Sequence, residues 1–147
     1  MKAKLKNKQL TVIQIDQSFF YTLPIPGYEG YLATTCGNII SLVSGRTTAN
    51  STRFYDPKLL KGRDADGYLR VDLYKESIVK SERVHRLIAM AFFEEPEAVY
   101  EKGNEGSERC QVNHIDGNKK NNSVSNLEWC TPAENIKHYN EILKRAS

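Results

Sequence analysis

The segment Gln111–Asn135 concentrates polar residues whose types and spacing fit hydrolytic chemistry on a phosphate ester. His114 follows a short apolar stretch, and a neutral imidazole is suited to take a proton from water at physiological pH. Asn135 follows further along, and its side-chain oxygen suits a hard cation such as Mg²⁺. These residue types indicate a metal and phosphate site. A single histidine in a strand is nevertheless more often structural, and asparagines between strands are commonly turn residues.

The pattern around these residues predicts a strand, a polar loop, a second strand and a helix. Gln111–Ile115 and Leu127–Cys130 are the expected strands. Thr131–Glu134 reads Thr-Pro-Ala-Glu, a capping box that starts a helix at Pro132. This start places Asn135 in the first turn, with His138, Tyr139 and Ile142 along the same side. Such a ββα unit can present an imidazole from its strand and an oxygen ligand from its helix to one point.

The residues upstream predict an α+β protein with a β-rich first part. Leu10–Ile15 and Gly37–Leu42 are short apolar runs, and Tyr68–Lys75 alternates apolar and polar residues as a half-buried strand does. Turn signals separate these runs, among them Pro24, Cys36-Gly37-Asn38 and the stretch from Asp64 to Gly67. The period then changes to that of a helix, with apolar residues at Val84, Leu87, Ile88, Ala91 and Phe92. We expect an antiparallel β module over residues 1–80, and a helix, an acidic loop (Glu94–Arg109) and the ββα unit over residues 81–147.

Composition excludes several other classes of protein. The mean hydropathy of −0.56 and the lack of a long apolar run argue against a membrane span. The apolar stretch after the basic start is too short for a secretory signal, so we expect a cytoplasmic protein. The cysteines at positions 36, 110 and 130 form no CxxC pair. We therefore expect small buried thiols, with neither a disulfide framework nor a structural zinc site.

The run Val112–Trp129, together with Asn135, closely resembles the HNH motif of phage-type homing endonucleases. The family pattern has Asp or Asn before a histidine, then DGNK-x-NN, then NLEW or NLRW, and an asparagine in the following helix. This sequence has the parts in order, as Asn113-His114, Asp116–Lys119, Asn121-Asn122, Asn126–Trp129 and Asn135. Upstream, Arg83–Phe92 is similar to the family's VHRLVA-x-x-F helix. The segment Ile25–Ser41 resembles the nuclease-associated DNA-binding motif that is often fused before it.

The resemblance implies roles for individual residues. His114 corresponds to the general base, and Asn126 to the residue that braces the hairpin and orients the base. Asn135 and Asn113 occupy the two metal-ligand positions, so the expected catalytic set is His114, Asn126 and Asn135. Relatives often carry Asp where this chain has Asn113, and an uncharged amide should bind the metal more weakly.

Four further residues near the motif also have expected roles. His138, one turn after Asn135, is either a solvent-facing residue or a contact to the phosphate or metal. His85 is expected to be structural, with a phosphate contact as the alternative. Asp116 is expected to be a turn residue rather than a ligand, and Trp129 to pack beneath the ββα unit.

The charges are distributed unevenly along the chain. Residues 1–80 hold 12 Lys and Arg against 7 Asp and Glu, whereas residues 81–147 hold 9 against 11. A basic first part fits a phosphate-binding surface, and an ordinary solvated surface is the alternative. The residues expected to contact double-stranded DNA are Arg46, Arg53, Lys58, Lys61, Arg63, Arg70, Lys119 and Lys120.

The resemblance as a whole implies a metal-dependent DNA endonuclease from a phage or its bacterial host. Mg²⁺ is the expected metal, with Mn²⁺ as the alternative, and the expected products carry a 5′ phosphate and a 3′ hydroxyl. One base and one metal form a single site, so a monomer or weak dimer should nick one strand. Two other functions stay open: a DNA-binding protein that has lost catalysis through Asn113, and a non-specific nuclease of defence or toxin type. Some relatives carry a C-terminal helix-turn-helix, and we expect none here and therefore a short or relaxed specificity.

Overall fold

The computed structural model describes residues 4–43, 54–96 and 110–147, with strands first and helices later. The first five strands form one antiparallel sheet in sequence order. They are β1 (Thr11–Ile15), β2 (Ser18–Pro24), β3 (Tyr31–Thr34), β4 (Ile39–Val43) and β5 (Phe54–Leu59). The predicted α+β class with an antiparallel first part is confirmed.

A second antiparallel sheet contains the strands β6 (Arg63–Ala65), β7 (Tyr68–Lys75) and β8 (Ile78–Arg83). β7 has the predicted bounds, and its alternation buries Val71 and Leu73, which are 3% and 0% exposed. The predicted turn connects β6 to β7, and Asp64 Oδ1 accepts a hydrogen bond from the Gly67 N–H at 3.1 Å. β7 and the turn before it were therefore predicted from local signals, whereas β6 and β8 were not predicted.

Helix α1 (Val84–Phe92) follows β8 directly and buries the predicted apolar stripe. It contacts strands of both sheets and of the hairpin that follows it. The apolar core accordingly combines side chains from all these elements, for example Leu23, Leu73, Ile88 and Leu127. The expected boundary at residue 80 falls inside β8, and the division into two domains stays a prediction.

The C-terminal unit consists of the antiparallel pair β9 (Gln111–His114) and β10 (Leu127–Cys130), followed by α2 (Pro132–Ala146). The predicted capping box is present: Thr131 Oγ1 accepts from the Glu134 N–H at 3.2 Å, and Glu134 Oε2 accepts from the Thr131 N–H at 2.8 Å. Ile115 was expected in the first strand but lies beyond β9. Its N–H still donates to Asn126 O at 2.8 Å across the hairpin. The hairpin loop, residues 115–126, begins here because the chain turns, with the Gly117 N–H donating to His114 O at 2.9 Å.

The remaining sequence predictions concern Pro24 and the acidic loop. Pro24 was expected in a turn, but it is the last residue of β2 and pairs with Leu32 of β3. A proline is tolerated at this place because the end of a strand does not need its missing N–H. The acidic loop expected over Glu94–Arg109 falls mostly outside the described residues.

All three cysteines are free. Cys110 and Cys130 are buried as expected, whereas the expectation of a buried thiol was wrong for Cys36. Cys36 lies in the surface turn between β3 and β4, with its Sγ 3.2 Å from Thr34 Oγ1. In the described part of the chain, no helix combines the length and apolar character needed to cross a bilayer.

Candidate active site

His114 is the last residue of β9, and its side chain is buried. Its Nε2 lies 2.9 Å from Asn122 Oδ1 in the hairpin loop. Because an amide oxygen can only accept a hydrogen bond, Nε2 carries the ring proton in this contact. Nδ1 then keeps the lone pair, so the contact orients His114 as a ring that accepts a proton at Nδ1.

Burial lowers the pKa of His114 from its ordinary value of 6.5, and the charge of Lys119 lowers it further. The hydrogen bond to Asn122 and the charge of Asp116 raise it, but by less than burial lowers it. A lowered pKa keeps the imidazole neutral at pH 7. Neutral imidazole is the form that a general base requires.

Two rings from upstream elements pack around His114. The ring of His85 in α1 makes an edge contact with it at a centroid distance of 5.0 Å, and the ring of Tyr68 in β7 lies at 6.1 Å. His85 is 4% exposed. A ring so deeply buried is screened from a phosphate, so the structure favours the structural role for His85 over the phosphate contact.

We expect His85 to make the protein sensitive to acid. Burial, with smaller contributions from His114, Arg83 and Arg86, lowers its pKa from 6.5 to about 3. The unfolded chain therefore takes up a proton below pH 6.5 that the folded chain takes up only near pH 3. The free energy of unfolding should fall over this window, by about 2 kcal/mol between pH 6.5 and pH 4.5 from this residue.

Urea unfolding of the wild type and of His85→Phe at these two pH values measures this contribution. The variant keeps an aromatic ring against His114 but has no group that titrates, so its stability should depend less on pH. An equal loss of stability in both proteins between pH 6.5 and pH 4.5 would contradict the expectation.

Asn126 braces the hairpin loop through both ends of its amide. Its Oδ1 accepts from the Asp116 N–H at 3.0 Å, and its Nδ2 donates to Asp116 Oδ1 at 2.8 Å and to Asn121 O at 2.9 Å. Asp116 also accepts from the Asn118 N–H at 2.8 Å, which is the behaviour of a turn residue. Because this loop carries Asn122, the bracing by Asn126 holds the partner of His114 in place.

The turn between β3 and β4 supports the same loop from the side of the first sheet. The Val124 N–H donates to Thr35 O at 3.0 Å. Gly37 has φ +91°, and a Cβ placed on it would lie 2.5 Å from the carbonyl carbon of Asn122. Only glycine permits this approach, so the first sheet helps to place the partner of His114.

Asn113 precedes His114 and is 6% exposed. Its Nδ2 donates to Glu128 Oε1 at 3.0 Å and lies 3.2 Å from His138 Nδ1. An amide nitrogen can only donate, so His138 accepts at Nδ1 and carries its proton at Nε2. The structure thus brings His138 to the site through Asn113.

Asn135 lies in the first turn of α2, as the capping box predicted, and its Nδ2 donates to Gln111 Oε1 at 2.6 Å. Asn113, His114, Asn135 and His138 line one cavity of about 340 Å³. The remaining lining residues are Tyr68, Val112, Gly117, Lys119, Ile136, Tyr139 and Ile142. The structure therefore brings the proposed base and both proposed metal ligands to one open cavity.

The two asparagines fit a hard cation. In each amide the nitrogen is occupied by an acceptor, so the carbonyl oxygen faces away from that contact. Amide oxygens are suitable ligands for Mg²⁺ or Mn²⁺. Within the described ranges, no group of three or more His, Cys, Asp or Glu side chains is placed to hold a metal ion. A cation here would therefore depend on the amide oxygens.

Of the basic residues predicted to contact DNA, Lys119 lines this cavity. Its Nζ lies 4.7 Å from the centre of the Tyr68 ring. The neighbouring Lys120 forms an ion pair with Asp64 at 2.6 Å, which connects the hairpin loop to strand β6. These two lysines connect the second sheet with the loop that holds Asn122.

The remaining predicted DNA contacts lie elsewhere. Lys58 and Lys61 are exposed, whereas Arg63 is paired with Asp72 at 3.1 Å and Arg70 donates to Ser81 O at 3.3 Å. Arg46 and Arg53 lie outside the described residues. Their role in DNA binding stays a prediction.

Sequence reasoning did not assign a role in the site to Asn122, Glu128, Gln111 or Tyr68. Asn122 belongs to the quoted motif, but its contact with His114 depends on the path of the loop. Glu128 is the direct cross-strand partner of Asn113, so an explicit register for the predicted hairpin would have paired them. Tyr68 comes from a distant strand, and no local signal could have placed it beside His114.

The ββα unit has a buried histidine at the end of its first strand and asparagines in its loop and its helix. Residues 82–137 match the model of the HNH endonuclease family. The chain therefore contains a domain of the HNH endonuclease family, and the resemblance predicted from the HNH motif is confirmed.

The most informative relative is the DNA endonuclease I-HmuI of Bacillus phage SP01. It is 37% identical over 115 residues, which are 78% of this chain and 54% of that protein. An uncharacterized HNH endonuclease, L245, of Acanthamoeba polyphaga mimivirus is 35% identical over 117 residues, 80% of this chain and 29% of the relative. A solved structure of the HNH homing endonuclease I-HmuI is similar with a TM-score of 0.54 and 30% identity, over 86% of this chain and 60% of that one. The chain thus spans about half or less of the length of these two relatives.

Proposed function

We propose that this chain is a metal-dependent DNA endonuclease of the homing type, which hydrolyses one phosphodiester bond at a time. The observation that carries the proposal is the single cavity lined by His114, Asn113 and Asn135. In it, a neutral imidazole with its lone pair at Nδ1 lies beside two amides whose nitrogens are already occupied. These are the parts that metal-assisted phosphodiester hydrolysis needs.

His114 acts first on the attacking water. Asn122 holds the proton on Nε2, so Nδ1 takes the proton as the water oxygen approaches the phosphorus. As the ring becomes positively charged, the hydrogen bond from Nε2 to Asn122 Oδ1 strengthens and stabilises it. The new bond joins the water oxygen to phosphorus, the bond from phosphorus to the 3′ oxygen breaks, and the leaving 3′ oxygen takes a proton from solvent water. The proposed products therefore carry a 5′ phosphate and a 3′ hydroxyl.

Asn113 and Asn135 would hold the divalent cation through their Oδ1 atoms, and we propose Mg²⁺, with Mn²⁺ able to replace it. When bound, the cation supplies positive charge for the scissile phosphate and the leaving 3′ oxygen. The chain's part is to fix the two amides, which the contacts to Glu128, His138 and Gln111 do. The cavity around them has a volume of about 340 Å³, which can accommodate a phosphate group.

Double-stranded DNA is the proposed substrate. Lys119 stands at the cavity, and Lys58 and Lys61 are exposed on the first part of the chain. Lysines so placed can neutralise phosphates and release counterions. I-HmuI is a DNA endonuclease by name, and its structure is described as DNA binding and cleavage by an HNH homing endonuclease. We propose the cytoplasm of a bacterial or phage-infected cell as the place of action.

One base at one cavity makes a single cleavage centre, so we propose that a monomer nicks one strand. The alternative, a DNA-binding protein without catalysis, rests on the uncharged Asn113. The two functions differ in what happens to a supercoiled plasmid.

The test incubates supercoiled plasmid with the purified protein and Mg²⁺ or Mn²⁺, with EDTA in a parallel sample. We expect conversion to open circles that stops with EDTA, because the leaving oxygen then lacks its counter-charge. Linear plasmid that appears before open circles would contradict the nicking of one strand. A salt-sensitive gel shift without any conversion would replace the proposal by the DNA-binding alternative.

A further inference from the structure

Glu128 lies directly opposite Asn113 in the hairpin of β9 and β10. Its neighbours Leu127 and Trp129 are 3% and 5% exposed, so the alternation of β10 places Glu128 on the opposite face. That face looks toward α2, because Asn113 on the same face contacts His138. Glu128 is therefore the carboxylate that the hairpin register presents beside a proposed metal ligand.

The hydrogen bond between Asn113 and Glu128 determines which way the Asn113 amide faces. Nδ2 has two acceptors, Glu128 Oε1 at 3.0 Å and His138 Nδ1 at 3.2 Å. Rotation of the amide by 180° would put Oδ1 against the carboxylate oxygen, where two acceptors repel and no hydrogen bond forms. The negative charge of Glu128 therefore selects the orientation in which Oδ1 is the free end of the amide.

The negative charge of Glu128 would also increase the affinity of the site for a cation. Asn113 and Asn135 are neutral, so together they contribute no negative charge to a divalent ion. Glu128 is half-buried in contact with one of them, where its charge is screened less than at an open surface. We propose that Glu128 is a positioning residue that orients Asn113 and supplies the negative charge that the pair of amides lacks. The inference rests on the metal site of the proposed function.

The contact between Asn113 and Glu128 also explains why an aspartate at position 113 would not by itself strengthen metal binding. In Asn113→Asp two carboxylates would lie about 3 Å apart without a hydrogen between them, and like charges at this distance repel. In the double variant Asn113→Asp with Glu128→Gln, the amide of the new glutamine can donate to the new carboxylate. The double variant thus moves the charge across the hairpin and keeps the hydrogen bond.

The experiment measures Mn²⁺ binding by the loss of the free-ion electron paramagnetic resonance signal, without DNA. The proteins are the wild-type chain, Glu128→Gln, the double variant, and Asn135→Ala to confirm the site. Glu29→Gln is the matched control, because it removes one negative charge from an exposed turn residue outside the site. Thermal unfolding of each protein shows that it is folded.

We expect Glu128→Gln to raise the dissociation constant for Mn²⁺ about tenfold, as loss of a group that orients a ligand does. The double variant should bind Mn²⁺ at least as tightly as the wild type, and Glu29→Gln should bind it equally. Equal binding by Glu128→Gln and the wild type, with Asn135→Ala impaired, would overturn this inference and leave the nuclease proposal intact. Failure of the wild type to bind Mn²⁺ would overturn both.

Discussion

His114→Ala should lower the rate of plasmid nicking by about 10³-fold, since a positioned general base contributes roughly 10²- to 10⁴-fold. The variant has no group that can take the proton from water, while Asn113 and Asn135 keep their contacts. Initial rates of open-circle formation at saturating Mg²⁺ measure the effect. The affinity for DNA in a gel shift should stay near that of the wild type, because His114 is buried.

Alanine at this place also leaves the Asn122 amide without its ring partner, so a second variant separates chemistry from structure. His114→Gln can still donate to Asn122 Oδ1 but cannot act as a base at neutral pH. We expect it to be as inactive as His114→Ala while unfolding close to the wild-type temperature. Nicking by a folded His114→Gln at more than a tenth of the wild-type rate would remove His114 from the role of base.

Gly37→Ala should destabilise the protein by about 2 to 5 kcal/mol and slow nicking as well. The left-handed backbone at φ +91° costs an alanine about 1 to 2 kcal/mol, and forcing atoms into packed surroundings costs roughly 1 to 3 kcal/mol. The new Cβ would lie 2.5 Å from the carbonyl carbon of Asn122, so the hairpin loop has to move. A displaced Asn122 no longer orients His114, and a displacement of about 1 Å can cost up to about 10²-fold in rate.

Gly27→Ala is the matched control for this prediction. Gly27 has a similar φ of +77°, but the neighbour that its Cβ would meet is the flexible end of Lys75, at 3.3 Å. Gly27→Ala should lower the free energy of unfolding by about 1 to 2 kcal/mol, from the backbone conformation alone, and leave the nicking rate unchanged. Urea unfolding of both variants measures the cost of the backbone strain. Plasmid nicking by both variants shows whether the hairpin loop that carries Asn122 is displaced. Equal nicking rates for the two variants would show that Gly37 does not act through the hairpin loop.

These expectations reflect a site that is not confined to its family domain. The matched residues 82–137 contain His114, Asn126 and Asn135, but two of the neighbours of the site come from earlier sheets. Gly37 supports the loop that carries Asn122, and Tyr68 packs near His114 and beneath Lys119. The β-rich first part therefore has a structural role at the site in addition to its proposed role in DNA binding.

The sequence by itself determined the elements whose signals are local. The capping box placed the start of α2 and with it Asn135, and the alternation over Tyr68–Lys75 placed β7. The HNH motif predicted roles for His114 and Asn126, because that motif is continuous in the chain and its spacing is characteristic. Caps, alternation and helical spacing depend on neighbouring residues, so they can be read without knowledge of the fold.

Only the tertiary structure decided how the site is completed. That Asn122 rather than Asn121 meets His114, and that Glu128 holds the amide of Asn113, depends on the path of the loop and the register of the hairpin. The close approach of Gly37 and the burial of His85 depend on packing between segments far apart in the chain. Such contacts form when distant apolar surfaces join one core, and the distances and orientations they fix are not encoded in any short stretch of sequence.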